Sequence, residues 1–168
     1  MKDKKGLSKS QDNDDFKEIA HSAAWKTQKA MGKFTKEFPN RDQLHLENRP
    51  LYISKKSGNR YRGEWNVTTN RMHGFGIKVW KEDGRVYVGH FENSEPSDYG
   101  RLVGGRGPRD GNKYEGGFLN GRFHGEGKFS WNDGREYEGN WVKGQMSGKG
   151  KMKFSDEGVY EGDWKDGE

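Results

Sequence analysis

The sequence contains no cysteine in its 168 residues. That excludes disulfides, thiolate catalysis and cysteine-based zinc sites together, and it fits a reducing compartment. Aliphatic bulk is scarce too. Only 28% of residues are hydrophobic and the mean hydropathy is −1.32, which leaves too little apolar mass for an ordinary compact core. No run approaches the roughly 18 apolar residues of a membrane span. The start, Met1-Lys-Asp-Lys-Lys-Gly6, has no apolar stretch of the kind a secretory signal needs. A soluble intracellular chain is the expectation. Charge is not of one sign either: 31 basic and 26 acidic side chains leave a net +5. Residues 1–50 hold 11 basic and 8 acidic groups, and the rest hold 20 and 18. A nucleic-acid binder concentrates its charge on one face or stripe, so no nucleic-acid partner is expected.

Two residue classes are abundant. Aromatics make up 13% of the chain and glycines number 26. Disordered chains are poor in aromatics, so a fold with a thin core of rings is indicated. Glycine also marks a boundary. Only Gly6 and Gly32 fall in the first fifty residues, and the other 24 follow.

Beyond that boundary the chain repeats itself. Tyr61-Arg-Gly63-Glu-Trp65 is followed by Tyr87-Val-Gly89-His-Phe91, Tyr114-Glu-Gly116-Gly-Phe118, Tyr137-Glu-Gly139-Asn-Trp141 and Tyr160-Glu-Gly162-Asp-Trp164. The tyrosines are 26, 27, 23 and 23 residues apart, so the basic unit is 23 residues. The longer first two copies carry extra residues near 66–72 and 94–109. Each unit has a second half: His73-Gly74-Phe-Gly76, His124-Gly125-Glu-Gly127 and Ser147-Gly148-Lys-Gly150, each leading into an apolar–polar alternation. In copy two this half reads as degraded, with Tyr99-Gly100 in its place.

Side chains alternate between faces along a strand. Tyr137, Gly139 and Trp141 therefore share one face, joined on the return strand by Gly150, Met152 and Phe154. Each bare glycine leaves space for a neighbouring ring to lie over backbone. Asn120-Gly121 and Asp133-Gly134 are hairpin-turn signals. The expected fold is all-β: an elongated single-layer antiparallel meander, two strands per repeat, with residues 61–164 forming about ten strands at roughly 4.8 Å spacing. Leu51–Lys55 reads as a further strand that pairs with the Tyr61 strand, so the array is placed at residues 51–168.

These units resemble MORN repeats, a family of short hairpins with Tyr-Gly-Trp and His-Gly-x-Gly signatures. The resemblance runs over residues 61–168. It implies a single-layer sheet serving as a scaffold, a membrane-associated module or a cytoskeletal part. The layout is similar to that of short axonemal MORN proteins without an enzyme domain, with a leader around Ala24-Trp25-Lys26. This implies a structural component of a ciliary or flagellar axoneme, cytoplasmic or cytoskeletal, whose partners are the tubulin lattice or other axonemal proteins. An acidic-lipid surface is the alternative, with Lys143, Lys149, Lys151 and Lys153 as the contact row and Trp25 as a further candidate contact.

The segment 1–50 is an irregular arm. Residues 14–31 read either as a helix, with Asn13 as its cap and Gly32 as its stop, or as a solvated tail. The arm is expected to bind a partner rather than complete the sheet. At the other end, Tyr160–Trp164 reads as a strand with an open outer edge, inviting strand addition from a partner or self-association.

The sequence offers no catalytic, metal-binding or cofactor motif. His21, His45, His73, His90 and His124 form no i, i+4 helical pair. His73 and His124 share one repeat position and read as structural, with the imidazole bonding backbone. The Gly-x-Gly strings precede strands and lack the third glycine of a dinucleotide fingerprint. No Gly-x-Ser-x-Gly elbow is present. Glu115, Glu138 and Glu161 recur after the repeat tyrosine and read as a solvated row. No enzymatic activity is expected.

Overall fold

The computed structural model describes residues 23–32 and 45–168. One helix, α1 (Ala23–Ala30), precedes ten strands: β1 Leu46–Ile53, β2 Arg60–Asn66, β3 Arg71–Val79, β4 Val86–Glu92, β5 Glu95–Val103, β6 Lys113–Leu119, β7 Arg122–Ser130, β8 Glu136–Val142, β9 Gln145–Lys153 and β10 Val159–Trp164. They form one sheet in chain order, every neighbour antiparallel. The single-layer meander expected from the repeats is the fold. Its first strand begins at Leu46, inside the segment read as arm. Pro50 sits in that outermost strand, where a missing N–H breaks no ladder.

One glycine row organises the sheet. Gly63, Gly76, Gly89, Gly100, Gly116, Gly127, Gly139, Gly150 and Gly162 are successive cross-strand partners from β2 to β10. The rings lie over this row. A Cβ at Gly76 would stand 2.5 Å from the Tyr61 ring, and at Gly162 2.5 Å from the Tyr160 hydroxyl. The repeat tyrosine can lie flat only because nothing projects beneath it.

Each hairpin carries one irregularity. In β8–β9 the register passes from Gly139↔Gly150 to Trp141↔Met146, so β9 holds two more residues than β8 over that stretch. Gly148 takes a positive φ of 67° there, as do Gly74 and Gly125 at 74° and 70°. In copy two the same place is held by Asp98, with a φ of 62°. That corrects the reading of copy two. β5 has nine residues like β3, β7 and β9, and Ser97-Asp98 stands where His-Gly or Ser-Gly stands elsewhere. The extra residues form the 104–112 loop between β5 and β6. Asp tolerates the left-handed region better than most residues, so the motif changed its letters without losing its geometry.

Candidate functional site

With one layer, both faces of the sheet are candidate surfaces, and they differ. On the ring-bearing face, edge-to-face contacts run unbroken. Tyr61 meets Phe91 at 5.0 Å, Tyr87 meets Phe118 at 5.0 Å, Tyr114 meets Trp141 at 5.5 Å and Tyr137 meets Trp164 at 5.2 Å. Within repeats, Tyr61–Trp65, Tyr87–Phe91, Tyr114–Phe118, Tyr137–Trp141 and Tyr160–Trp164 join at 5.0–5.6 Å. The sequence-predicted repeat residues are thus brought together as one spine, each of the first four tyrosines supported by a ring of the next repeat. Such pairs add about 0.5–1.5 kcal/mol beyond area burial.

The tyrosine hydroxyls are satisfied locally. Tyr61, Tyr87 and Tyr114 donate to the carbonyls of Glu64, His90 and Gly117 at 2.8 Å, and Tyr137 to Asn140 at 3.0 Å. Burial pushes the ionisation of Tyr61, Tyr87 and Tyr114 well above the usual tyrosine range and raises that of Tyr137. Trp141 and Trp164 donate their indole N–H to the carbonyls of Gly127 and Gly150, at 3.1 and 3.2 Å. The bare glycine therefore serves twice, as floor for a ring and as acceptor for an indole.

Outside the spine, Phe123, Phe129, Trp131 and Leu102 are half-buried. They floor a groove of about 560 Å³, bounded by Arg85, Arg109, Lys113 and Arg122 and by Gly121 and Gly144 in the hairpin turns.

The opposite face is divided. Over β3–β5 it is apolar: Val79, Val86, Val88 and Val103 are buried, with Phe75, Ile77 and Leu51 against them. Helix α1 lies there, with Ala24 and Met31 in the same cluster. Arg101 donates to the Gly32 carbonyl at 3.2 Å and pairs with Glu115 at 3.0 Å, tying the helix end to β5 and β6. Gly32 takes a φ of 79°, so the predicted helix stop is where the helix stops. The remainder of the predicted 14–31 helix, residues 14–22, lies outside the described residues, as do His21 and the Trp25 side chain. The arm was expected to reach for a partner, yet its described part covers the sheet. The signal lay in the strands: Val79, Val86, Val88 and Val103 occupy positions that hold Lys, Glu or Ser in the third and fourth copies.

Over β6–β10 the same face is polar. Glu115, Lys128, Glu138, Lys151 and Glu161 are successive cross-strand partners of alternating sign. Lys149 pairs with Asp163 at 2.8 Å, Lys151 with Glu161 at 3.7 Å and Lys128 with Glu136 at 3.0 Å. The hydrogen bond to Asp163 holds the Lys149 ammonium above its ordinary range. The hydrogen bond from Lys128 holds the Glu136 carboxyl below its own. Lys153 faces Glu136 across β8–β9. The candidate row Lys149, Lys151, Lys153 does share one face, but each lysine stands opposite an acid. Lys143 is apart from them, in the β8–β9 turn with a φ of 52°.

The imidazole-to-backbone bond expected of His73 and His124 is not made through Nδ1. That atom of His73 and of His124 is buried without a hydrogen-bond partner. The His73 and His90 rings meet edge to face at 6.0 Å, and burial lowers the proton affinity of His90. Among the described residues no three His, Asp or Glu side chains gather closely enough to hold a metal. No helix among them is long and apolar enough to cross a membrane.

Comparison with known families agrees with this geometry. The MORN repeat family model matches residues 70–85, 114–134, 137–159 and 160–168. No curated protein matches the chain.

Proposed function

Because the chain carries MORN repeats, units that build scaffolds for protein or membrane interaction, we propose that it is a non-enzymatic structural scaffold of a cytoskeletal assembly. The component class is that of the ciliary or flagellar axoneme, attached to doublet microtubules through the tubulin lattice or other axonemal proteins. One observation carries the reading: ten strands in a single layer, leaving two unlike surfaces and two edges for partners. The net charge of +5 is compatible with an acidic lattice. The open edge of β10 is a further contact, by strand addition or self-association.

The lipid alternative draws less support. A basic row would contribute about 1 kcal/mol per residue near an anionic membrane, but the ion pairs of Lys149 and Lys151 already commit those charges. Expressing a tagged chain in a ciliated cell and extracting with detergent tests the proposal. Retention with the axoneme supports it. Release with the membrane fraction transfers the function to a lipid surface, and recovery in neither fraction overturns both.

A further inference from the structure

The connections between strands fall on two sides of the ribbon. On one side lie 67–70, 93–94, 120–121 and 143–144, whose only charged residue is Lys143. On the other lie 54–59, 80–85, 104–112, 131–135 and 154–158, and the first four of these are basic on balance. Lys55, Lys56, Lys81, Arg106 and Arg109 are exposed there, and none makes an ion pair among the described residues. The acids of the same four segments are Glu82, Asp83, Asp110 and Asp133. Two of them are taken: Asp83 lies 3.7 Å from Arg85 and Asp133 2.9 Å from Arg135. The fifth segment holds Asp156 and Glu157 and no cation, so the basic line ends at 131–135.

These four connections are fastened to one another. The Lys81 N–H donates to Asn59 Oδ1 at 3.1 Å and the Arg106 N–H to the Asp83 carbonyl at 2.7 Å. Asn132 gives its N–H to Asn112 Oδ1 and its side-chain amide to the Asp110 carbonyl, both at 2.9 Å. Gly105 leaves no room for a Cβ against the Asp83 carbonyl, which seats the longest loop on its neighbour. The four tips therefore form one continuous rim. Connections on this side recur every second strand, so the rim spans about 30 Å at about 4.8 Å per strand, the length of about nine extended residues.

We infer that this rim is the docking site for an extended acidic segment of a protein partner, one rich in glutamate or aspartate. Its carboxylates meet Lys55, Lys56, Lys81, Arg106 and Arg109, and the fastened loops limit what must be ordered on binding. A nucleic acid suits the place less. Its unbroken row of phosphates would meet Glu82 and Asp110, where a peptide can place neutral residues. The Trp80 and Trp131 rings, which could stack on bases, carry Arg85 and Arg135 over them at 4.5 and 5.0 Å. A membrane would touch only this one line of turns.

This rests on the reading of the chain as a protein-binding scaffold, and not on its place in the axoneme. The test uses the full chain and a fluorescein-labelled peptide of alternating Glu and Gly, about twelve residues long so that it spans the rim, read by anisotropy. Binding is expected for this peptide and not for its Gln-for-Glu counterpart, and it should weaken as salt rises. Lys55→Glu, Arg106→Glu and Arg109→Glu together alter exposed side chains only. They should leave the circular dichroism unchanged and weaken binding roughly tenfold or more. Arg122→Glu, Lys143→Glu and Lys165→Glu change the net charge equally from the other side of the ribbon, also at exposed residues, and should weaken binding far less. Absence of binding, equal binding of the Gln peptide, or equal loss in the two triple variants overturns the inference. So does binding of phosphatidylserine vesicles or oligouridylate, but not of the peptide, with dependence on Lys55, Arg106 and Arg109. If detergent releases the chain from axonemes while the peptide still binds at the rim, only the cytoskeletal location fails.

Discussion

At the residue scale the molecule depends on glycines that carry no side chain where others would. Gly76→Ala puts a methyl group 2.5 Å from the Tyr61 ring and hydroxyl, so the ring has to lift off the ladder. An overpacking cost of about 1–3 kcal/mol is expected, read as a lower urea midpoint; an unchanged midpoint would show that the ring can move freely. Trp141→Ala removes a ring that is 5% exposed and an indole bonded to Gly127, for about 3–5 kcal/mol. Lys151→Ala, on the solvated face, should stay within about 0.5. The tyrosines add a pH dependence. Folded Tyr61, Tyr87 and Tyr114 hold their protons to higher pH than they would in the unfolded chain, because burial disfavours the phenolate. Their contribution is complete below pH about 10 and lost as pH rises above it, by up to about 1.4 kcal/mol per pH unit per tyrosine. Urea midpoints should therefore fall steeply between pH 10 and 12. A flat profile would mean that these hydroxyls are not sealed by the spine.

At the scale of the elements, α1 is a piece that the repeat pattern does not account for, and it covers an apolar patch that water would otherwise meet. Ala24 is 3% exposed within that cluster. Ala24→Asp forces a charge into it or lifts the helix away. The loss is bounded by the docking of one short helix, about 1–3 kcal/mol, at about 2–4 °C of melting temperature per kcal/mol. Deleting residues 1–44 should lower the melting temperature by a similar amount, and adding Ala24→Asp has no place to act in that shortened chain. If neither change moves the melting temperature, the helix is not held by the sheet in solution and is free for a partner. The hairpins themselves were legible in advance, since ring, glycine and turn recur together in every copy. Copy two keeps the spacing of the motif and changes its letters. Gly100 lies eleven residues after Gly89, as Gly127 does after Gly116 and Gly150 after Gly139, and that spacing identifies the strand even with Asp98 at the bulge.

At the scale of the whole molecule, every strand contacts mainly its two neighbours, so stability should be close to a sum of nearest-neighbour terms. Deleting residues 114–136 joins Lys113 to Tyr137 at an equivalent point of the repeat. Gly100 then finds Gly139 where it had Gly116. The shortened chain should keep its β spectrum and unfold in a single transition at a lower urea midpoint. Loss of the β spectrum would show that the array needs its full length or a particular pair of repeats.

The sequence by itself determined the repeat, the ring positions, the glycine beneath each ring and the separation of ringed from charged faces. All of these are local, set by side-chain alternation along one strand and by φ at one turn. Only the tertiary structure decided which residues meet across strands. Each hairpin shifts register at its bulge, so alternation alone does not say that Lys151 stands beside Glu161 or that Lys149 reaches Asp163. Nor does it say that Val79, Val86 and Val103 fall in line to receive a helix from residues 23–30. Cross-strand neighbours come from distant parts of the chain, and their partnership depends on the accumulated register of every hairpin between them.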